Sequence, residues 1–196
     1  TTGILQRGRD GKLVEEGNGY QVDRSQRIRL GSADPDFTMG WRHDINYKNI
    51  SLGLMITGRF GGIVTSQTQA FMDAFGVSKV SAEARDNGGV MLDGHRYDAE
   101  RYYNTVGGQG LMSYYTYDAT NVRLQELSLT YSLPKKWLGD VFNNATISFV
   151  GRNLFMFYRK APFDPDMNGS TGTYNRSDFF MAPSLRNLGF SIKFSL

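Results

Sequence analysis

The last stretch of the chain alternates between apolar and polar side chains. Apolar residues occupy every second position from Leu188 to Leu196, and Gly, Ser and Lys residues occupy the positions between them. Because successive side chains of a β-strand point to opposite faces, this pattern predicts a strand with one apolar and one polar face. Two interpretations fit it. One is a membrane-spanning barrel strand between lipid and a polar lumen; the other is a half-buried strand of a soluble sandwich.

The same alternation recurs upstream and predicts five long strands. From Phe37 to Lys48 it holds for twelve residues, enough to cross a bilayer, which needs roughly 9–11 tilted strand residues. The third strand changes phase at Gln125-Glu126, which predicts a β-bulge. The predicted strands cover residues 37–48, 49–60, 117–133, 144–157 and 183–196.

The connections between these strands alternate between long and short. Long loops are predicted at 1–35, 61–116 and 158–181, and short turns at 48–49 and 133–143. Outer-membrane barrels place short turns in the periplasm and long loops outside, with aromatic girdles at both interfaces. Aromatic residues cluster at the long-loop ends (Tyr114, Tyr115, Tyr117, Phe155, Phe157, Tyr158, Phe179, Phe180) and at the short-turn ends (Tyr47, Tyr131, Trp137, Phe194). Together these regularities favour the membrane barrel over the sandwich.

The long segments between the predicted strands differ in how much folded structure is expected of them. Residues 1–35 are polar and rich in turn signals, which predicts an exposed loop carrying a small hairpin. The insertion 61–116 is expected to be folded, with helices at 68–75 and near 99–105 that end at glycines. The sequences at 85–89 and 93–94 predict turns.

Composition narrows the possible functions. The 22 Lys and Arg residues against 19 Asp and Glu residues give a net charge of +3, too mild and too scattered for a nucleic-acid partner. Cysteine is absent, which excludes disulfides and thiolate metal sites in this chain. The sequence contains no run of about 18 apolar residues, so no transmembrane helix is predicted. The chain starts Thr-Thr without a signal peptide, so we expect either processing or a piece of a longer protein.

The number of predicted strands also points to a larger protein. Five strands cannot close a barrel, since bacterial single-chain barrels start at eight strands. An open strand edge is not tolerated in lipid. We therefore expect the C-terminal part of a larger barrel in the bacterial outer membrane. It would cross the membrane several times, with its long loops extracellular and its C-terminus periplasmic.

Short motifs follow one another between residues 31 and 196. They are GSADPDF at 31–37 leading into Gly40-Trp41, YKNI at 47–50, GRFGGIV at 58–64, ATNVRLQELSLTY at 119–131 with Leu133-Pro134, GRNLF at 151–155, PFDPD at 162–166 and PSLR at 183–186. In order and spacing they resemble the C-terminal third or so of the barrel in SusC/RagA-type TonB-dependent outer-membrane transporters of Bacteroidetes.

This resemblance implies an all-β fold, an antiparallel transmembrane β-barrel of 22 strands with a plugged lumen. The chain would supply a C-terminal segment of about five strands with long extracellular loops. The resemblance also implies TonB-driven import of glycans or peptides, outer-membrane lipids around the wall, and a SusD-like lipoprotein capping the outer face. The plug and the TonB-interacting segment of that family have no counterpart here, so TonB would be reached through another part of the polypeptide.

Substrate or partner contacts are expected from the insertion 61–116 and the loop 158–181. Aromatic faces and charged groups on surface loops are the usual recognition chemistry. The candidates are Arg85, Asp86, Tyr102, Tyr103, Asp164 and Asp166. On the strands, a hydrated polar wall is expected from Arg42, Asp44, Arg123, Arg152 and Lys193. No Ser/His/Asp set or carboxylate pair has a spacing that predicts catalysis, so no enzyme is expected.

Alternatives remain open for the cofactor and for the function. Asp164, Asp166 and Asn168 resemble the first half of a calcium loop, but Asn175 replaces the bidentate Glu at the twelfth position. We therefore expect a structured extracellular turn without a cofactor, with Ca²⁺ as the alternative. At the level of function, the alternatives are a non-transporting outer-membrane adhesin or surface-binding barrel, and a soluble β-sandwich enzyme or lectin.

Overall fold

The computed structural model describes residues 2–138, 142–166 and 177–195. Its strands are β1 (Thr2–Leu5), β2 (Glu15–Glu16), β3 (Gly19–Tyr20), β4 (Val22–Ile28), β5 (Phe37–Tyr47), β6 (Ile50–Phe60), β7 (Ile63–Ser66), β8 (Val90–Leu92), β9 (His95–Tyr97), β10 (Thr116–Asp118), β11 (Asn121–Ser132), β12 (Asn144–Arg159), β13 (Ser177–Asp178) and β14 (Asn187–Ser195). Its α-helices are α1 (Gln67–Ala74), α2 (Lys79–Asp86) and α3 (Ala99–Tyr103).

The chain folds as two compact units that alternate along the sequence. We call the first the helical unit; its described residues are 2–33, 63–117 and 177–181. We call the second the sheet unit; it contains residues 34–62, 118–138, 142–166 and 182–195. Each unit has its own packing.

The sheet unit is built on one five-stranded antiparallel sheet in the order β14-β12-β11-β6-β5. The five strands fall where the alternation predicts long strands. Strands β11 and β14 each begin four residues later than predicted. The register shifts between Leu124 and Glu126 in both pairings of β11, which confirms the predicted β-bulge. The bulge allows Leu124 and Leu127, three positions apart, to lie on the same face.

One face of this sheet is apolar across all five strands. A single row of directly paired residues runs through Ile45, Leu52, Leu129, Phe149 and Phe190. Apart from Leu52, their side chains are exposed by 41% to 67%. The alternation of the sequence therefore becomes a broad apolar surface rather than the inside of a sandwich.

The opposite face of the sheet is polar. The next row of paired residues is Asn46, Ser51, Thr130, Ser148 and Ser191. The hydroxyl oxygens of Thr130 and Ser148 lie 2.9 Å apart and share a hydrogen bond. Because adjacent rows alternate in this way, a change at one position affects one face of the sheet only.

The helical unit has its own hydrophobic core. It is formed by Leu5, Leu13, Tyr20, Ala70, Tyr97, Tyr102, Val106, Leu111 and Tyr115. The first three belong to residues 1–35, so the predicted exposure of that segment is wrong. Its predicted small hairpin is present, with Arg7 and Leu13 bridged around the Asp10-Gly11 turn. The Leu13 amide donates to the Tyr97 hydroxyl at 3.1 Å, and the Tyr20 amide donates to the Thr105 hydroxyl at 2.9 Å. Buried backbone groups are thus paired across the unit.

Side-chain caps define the helices of this unit. The Ser66 hydroxyl accepts from the Gln69 amide at the start of α1, and the Asp98 carboxylate accepts from the Arg101 amide at the start of α3. These two helices lie where the sequence predicted helices. No helix within the described ranges is long and apolar enough to cross a membrane.

Helix α2 was not predicted. Residues 85 and 86, which were expected in a turn, form its last residues. It is polar, with Ser81 as its one buried residue, and so lacks the apolar period that marks a helix. Its local signal is the N-cap, where the Ser78 hydroxyl accepts from the Ser81 amide at 3.0 Å.

Candidate functional site

The most buried charged cluster of the sheet unit is centred on Arg123 of β11, which is 6% exposed. Its Nη2 donates to Oδ1 of Asp164 at 2.8 Å and also contacts the carboxylate of Asp166. Asp166 in turn faces Nη1 of Arg59 on β6 at 3.7 Å. Two strand arginines and two loop carboxylates therefore form a cluster whose formal charges cancel.

Neutral side chains complete the hydrogen bonding of this cluster. The Arg123 Nε donates to Asn121 at 3.4 Å, and its Nη1 donates to Asn153 at 3.3 Å. The Ser184 hydroxyl donates to the second oxygen of Asp164. The cluster thus ties the segments before and after the loop 158–181 to β11. We call these residues, with Arg59 and Asp166, the Arg123 cluster.

The two carboxyl groups respond to this environment in opposite directions. Burial opposes the charge of Asp164, but hydrogen bonds from Ser184, the Asp166 amide and Arg123 outweigh it and hold its pKa below the usual value. Burial raises the pKa of Asp166; attraction to Arg123 lowers it in part, and the Asp164 charge raises it further. On acidification, Asp166 should therefore accept a proton before Asp164 does.

This difference predicts unequal effects of removing the two charges. Asp164→Asn should destabilise the segment 161–166 by about 1–3 kcal/mol at neutral pH, because it removes charge-assisted hydrogen bonds. That loss should shrink as the pH falls below the unfolded-state pKa of about 3.9, where wild-type Asp164 loses its own depressed-pKa stabilisation. Asp166→Asn should destabilise less at neutral pH, because burial already disfavours this charge. Hydrogen exchange of amides 161–166 across pH 3–7 in the full-length protein measures both. Equal effects of the two variants, or a pH-independent effect of Asp164→Asn, would contradict the assignment.

The predicted polar wall is present in part. Arg42 donates to Asp44 at 2.9 Å, and both side chains are more than half exposed. Arg152 donates to Glu126 at 3.0 Å on the same face. Arg123 departs from the prediction of a hydrated wall residue, because the segment after β12 covers it.

The remaining candidates lie in the helical unit. Arg85 and Tyr103 line one cavity. Asp86 is exposed at the end of α2. Tyr102 is 7% exposed in the core, and burial raises its pKa. The structure therefore brings Asp164 together with Asp166 and Arg85 together with Tyr103, and the two pairs belong to different units.

Several aromatic residues predicted for the girdle at the long-loop ends belong to the helical unit instead. Tyr115 is buried in its core. Phe179 and Phe180 pack around Phe71, with ring centroids 5.9 Å and 6.2 Å from its centroid. For Tyr115 the girdle prediction is wrong, whereas for Phe179 and Phe180, which are 53% and 62% exposed, it stays a prediction. Sequence alone could not show the burial of Tyr115, because several of its core neighbours lie far away along the chain.

The described residues offer no metal site built from acids or histidines. In residues 2–138, 142–166 and 177–195, no group of three or more His, Asp or Glu side chains is placed to hold a metal ion. Asp164 and Asp166 are both engaged by Arg123. Asn168 lies outside the described residues, so calcium at Asp164, Asp166 and Asn168 stays a prediction.

Comparison with known proteins gives no matching family model. Among curated proteins, the chain is 29% identical over 188 residues to the TonB-dependent receptor P3 of Formosa agariphila. The aligned residues cover 91% of this chain and 18% of the relative. It is 26% identical over 156 residues to the TonB-dependent receptor P26 of the same organism, covering 78% of this chain and 15% of the relative. These relatives confirm the predicted resemblance to TonB-dependent transporters.

Among solved structures, the fold is similar to the RagAB peptide importer. In its closed-closed state the TM-score is 0.66 at 19% identity, covering 96% of this chain and 20% of that chain. In its open-open state the TM-score is 0.65 at 19% identity, covering 100% and 21%. The chain therefore spans about a fifth or less of the length of the proteins it matches.

Proposed function

We propose, from its resemblance to SusC/RagA-type TonB-dependent receptors, that this chain is a wall segment of an outer-membrane nutrient importer. The observation that carries the proposal is the exposed apolar face of the five-stranded sheet. Apolar residues face outward in register on every strand, and polar residues face the other way. Such a face is stable against lipid hydrocarbon, and the polar face suits a hydrated lumen.

The dimensions and edges of the sheet support the same conclusion. Strands β5 and β6 have 11 residues each, and a tilted strand needs about 9–11 residues to cross the hydrocarbon core. Within the described residues, β5 and β14 form the two edges of the sheet. Because unpaired backbone groups are very unfavourable in lipid, we infer that strands from elsewhere in the polypeptide close the barrel. A closed barrel of 22 strands, the number that the family resemblance implies, is part of this proposal.

The finer parts of the proposal concern orientation and partners. The long connections would lie outside the cell and the C-terminus in the periplasm. Outside the cell, the loops would help to shape the substrate cavity and the docking surface of a SusD-like lipoprotein. The substrate class is glycan or peptide, and Arg85, Asp86, Tyr102, Tyr103, Asp164 and Asp166 stay predicted contacts. The rest of the polypeptide would supply the plug and the contact with TonB.

Site-directed labelling tests which face of the sheet meets lipid. We expect Asn46→Cys in the full-length protein, in a background without other accessible cysteines, to react with a membrane-impermeant maleimide in outer-membrane fragments that are open to the reagent on both sides. Its neighbour Ile45→Cys should react several times more slowly, because hydrocarbon would shield it. Equal labelling of the two, or faster labelling of Ile45→Cys, would exclude the membrane-wall assignment.

A separate experiment tests transport. A strain lacking the full-length protein should lose growth on a peptide or glycan that is too large for diffusion through porins. Wild-type protein should restore growth, and a variant without its TonB-interacting segment should not. If both restore it, or if deletion changes surface attachment only, the non-transporting adhesin replaces the importer.

A further inference from the structure

A cavity of about 360 Å³ that is open to solvent lies in the helical unit, between the end of α1, α2 and α3. Its lining includes Asp73, Phe75, Gly76, Arg85, Glu100 and Tyr103. Asp73 is buried at this cavity, and Phe75, Arg85 and Glu100 are exposed. Arg85 and Tyr103 in this lining are among the predicted substrate or partner contacts, but the proposed wall function does not depend on the cavity being filled. Its contents are therefore a question separate from whether the barrel transports.

Asp73 is the unusual member of this lining. It is 3% exposed, and its Oδ1 atom makes no hydrogen bond to any described residue. No basic nitrogen in residues 2–138, 142–166 and 177–195 lies within 4.0 Å of its carboxylate. An ionised carboxylate that is buried without a partner strongly destabilises a fold. A group of this kind calls for an explanation, such as a bound ligand.

The surroundings of Asp73 do not neutralise it. The hydroxyl of Tyr115 is also buried and lies against the Asp73 carboxylate; burial raises the pKa of Tyr115, and its interaction with Asp73 raises it further. Burial raises the pKa of Tyr103 and of Tyr117, and the negative charge of Asp73 adds to both rises. Tyrosine hydroxyls carry no positive charge, so they do not balance the charge of a neighbouring carboxylate.

The rest of the lining favours a positively charged occupant. Asp73 and Glu100 contribute two carboxylates against the single guanidinium of Arg85. Arg85 lies over Gly76, where an added Cβ atom would be 2.6 Å from its Nη1. The rings of Phe75 and Tyr103 also line the cavity, and aromatic faces attract cations. A buried acid beside aromatic rings is a suitable environment for an organic cation.

We propose that this cavity binds an alkylammonium or guanidinium group, with Asp73 as its anchoring carboxylate. The ligand class is an organic cation, such as a lysine or arginine side chain of a peptide. Oδ1 of Asp73 accepts a hydrogen bond from the cation, and Glu100 adds to the negative field of the cavity. A metal ion does not fit this description, because the described residues contain no group of three acidic or histidine ligands.

Calorimetric titration of the full-length protein in detergent tests the proposal. The probes are N-acetyl-lysine amide and N-acetyl-arginine amide, with N-acetyl-norleucine amide as the uncharged control. We expect at least one cationic probe to bind, and to bind at least about tenfold more weakly to Asp73→Asn, because a charge-assisted hydrogen bond is lost. The matched control is Glu83→Gln on α2, whose exposed carboxylate pairs with Lys79 at 3.5 Å and lies outside the cavity lining. It should bind as the wild type does.

Thermal unfolding separates binding from a purely structural role of Asp73. Without a probe, Asp73→Asn should unfold at the same temperature as the wild type or at a higher one, because it removes an unpaired buried charge. Absence of binding by both cations, equal binding of the norleucine probe, unchanged binding to Asp73→Asn, or a marked loss of thermal stability in that variant would each overturn the proposal. The labelling and growth experiments above are independent of these outcomes.

Discussion

Phe190→Lys is expected to destabilise the assembled barrel by about 2–4 kcal/mol, the range for a lysine on the lipid face near the bilayer midplane. Phe190 is 67% exposed and ends the apolar row that crosses all five strands. In the proposed barrel this side chain lies in hydrocarbon, where a charged amine loses its hydration. Ser191→Lys places the same charge one position further, on the polar face that already carries Lys193, and should be tolerated.

Because both variants introduce the same charge, a difference between them reports the effect of the sheet face alone. Both should be compared by their abundance in the outer membrane and by the temperature at which the folded, fast-migrating band of the full-length protein is lost on an unheated gel. Phe190→Lys should lower both quantities, and Ser191→Lys should leave both close to wild type. Equal behaviour of the two variants would mean that the apolar face does not meet lipid.

Arg123→Met is expected to have a comparable effect through a different mechanism. Breaking a buried ion pair by removing one partner typically destabilises a fold by about 3–5 kcal/mol, because the remaining charge stays buried without compensation. Here Asp164 would remain, with a side chain only 10% exposed. Asp166, at 35%, can recover some hydration, which places the expected value near the lower end of that range. The loss should appear as faster hydrogen exchange in residues 161–166 and a lower unfolding temperature.

Two further variants establish the cause of that effect. Arg42→Met removes an arginine from the same polar face, but its pair with Asp44 is open to water, so the change should be small. Adding Asp164→Asn to Arg123→Met should restore much of the lost stability, because Arg59 and Asp166 then remain as a pair of opposite charges. Failure of this double variant to recover would show that Arg123 acts through packing rather than through charge.

The long strands could be predicted from the sequence because a period of two encodes both the strand and its two faces. The phase change at Gln125-Glu126 even located the bulge. This information is local, and each apolar position contacts its nearest partners on adjacent strands. The ends of the strands are predicted less accurately, since the alternation does not mark where pairing stops.

The helical unit and the Arg123 cluster could be predicted only in part, because their contacts are distant in sequence. Leu13 stands in a polar segment and has no neighbouring apolar pattern, yet its amide is bonded to Tyr97. Arg123 and Asp164 are 41 positions apart, and neither shows its partner by spacing. Asp73 occupies an ordinary position in a short helix, so nothing local distinguishes it as buried.

The interleaving of the two units along the chain bears on how this protein reaches its folded state. The helical unit joins three separate stretches, and the hydrogen bond between Ser66 and Asp178 closes a separation of 112 residues. Contacts of such range require the entropy of a long loop to be lost before they stabilise anything, which slows folding. No single cut in the chain releases either unit intact. The residues that complete the helical unit emerge only after four of the five long strands, so its closure is tied by connectivity to the strands that precede it.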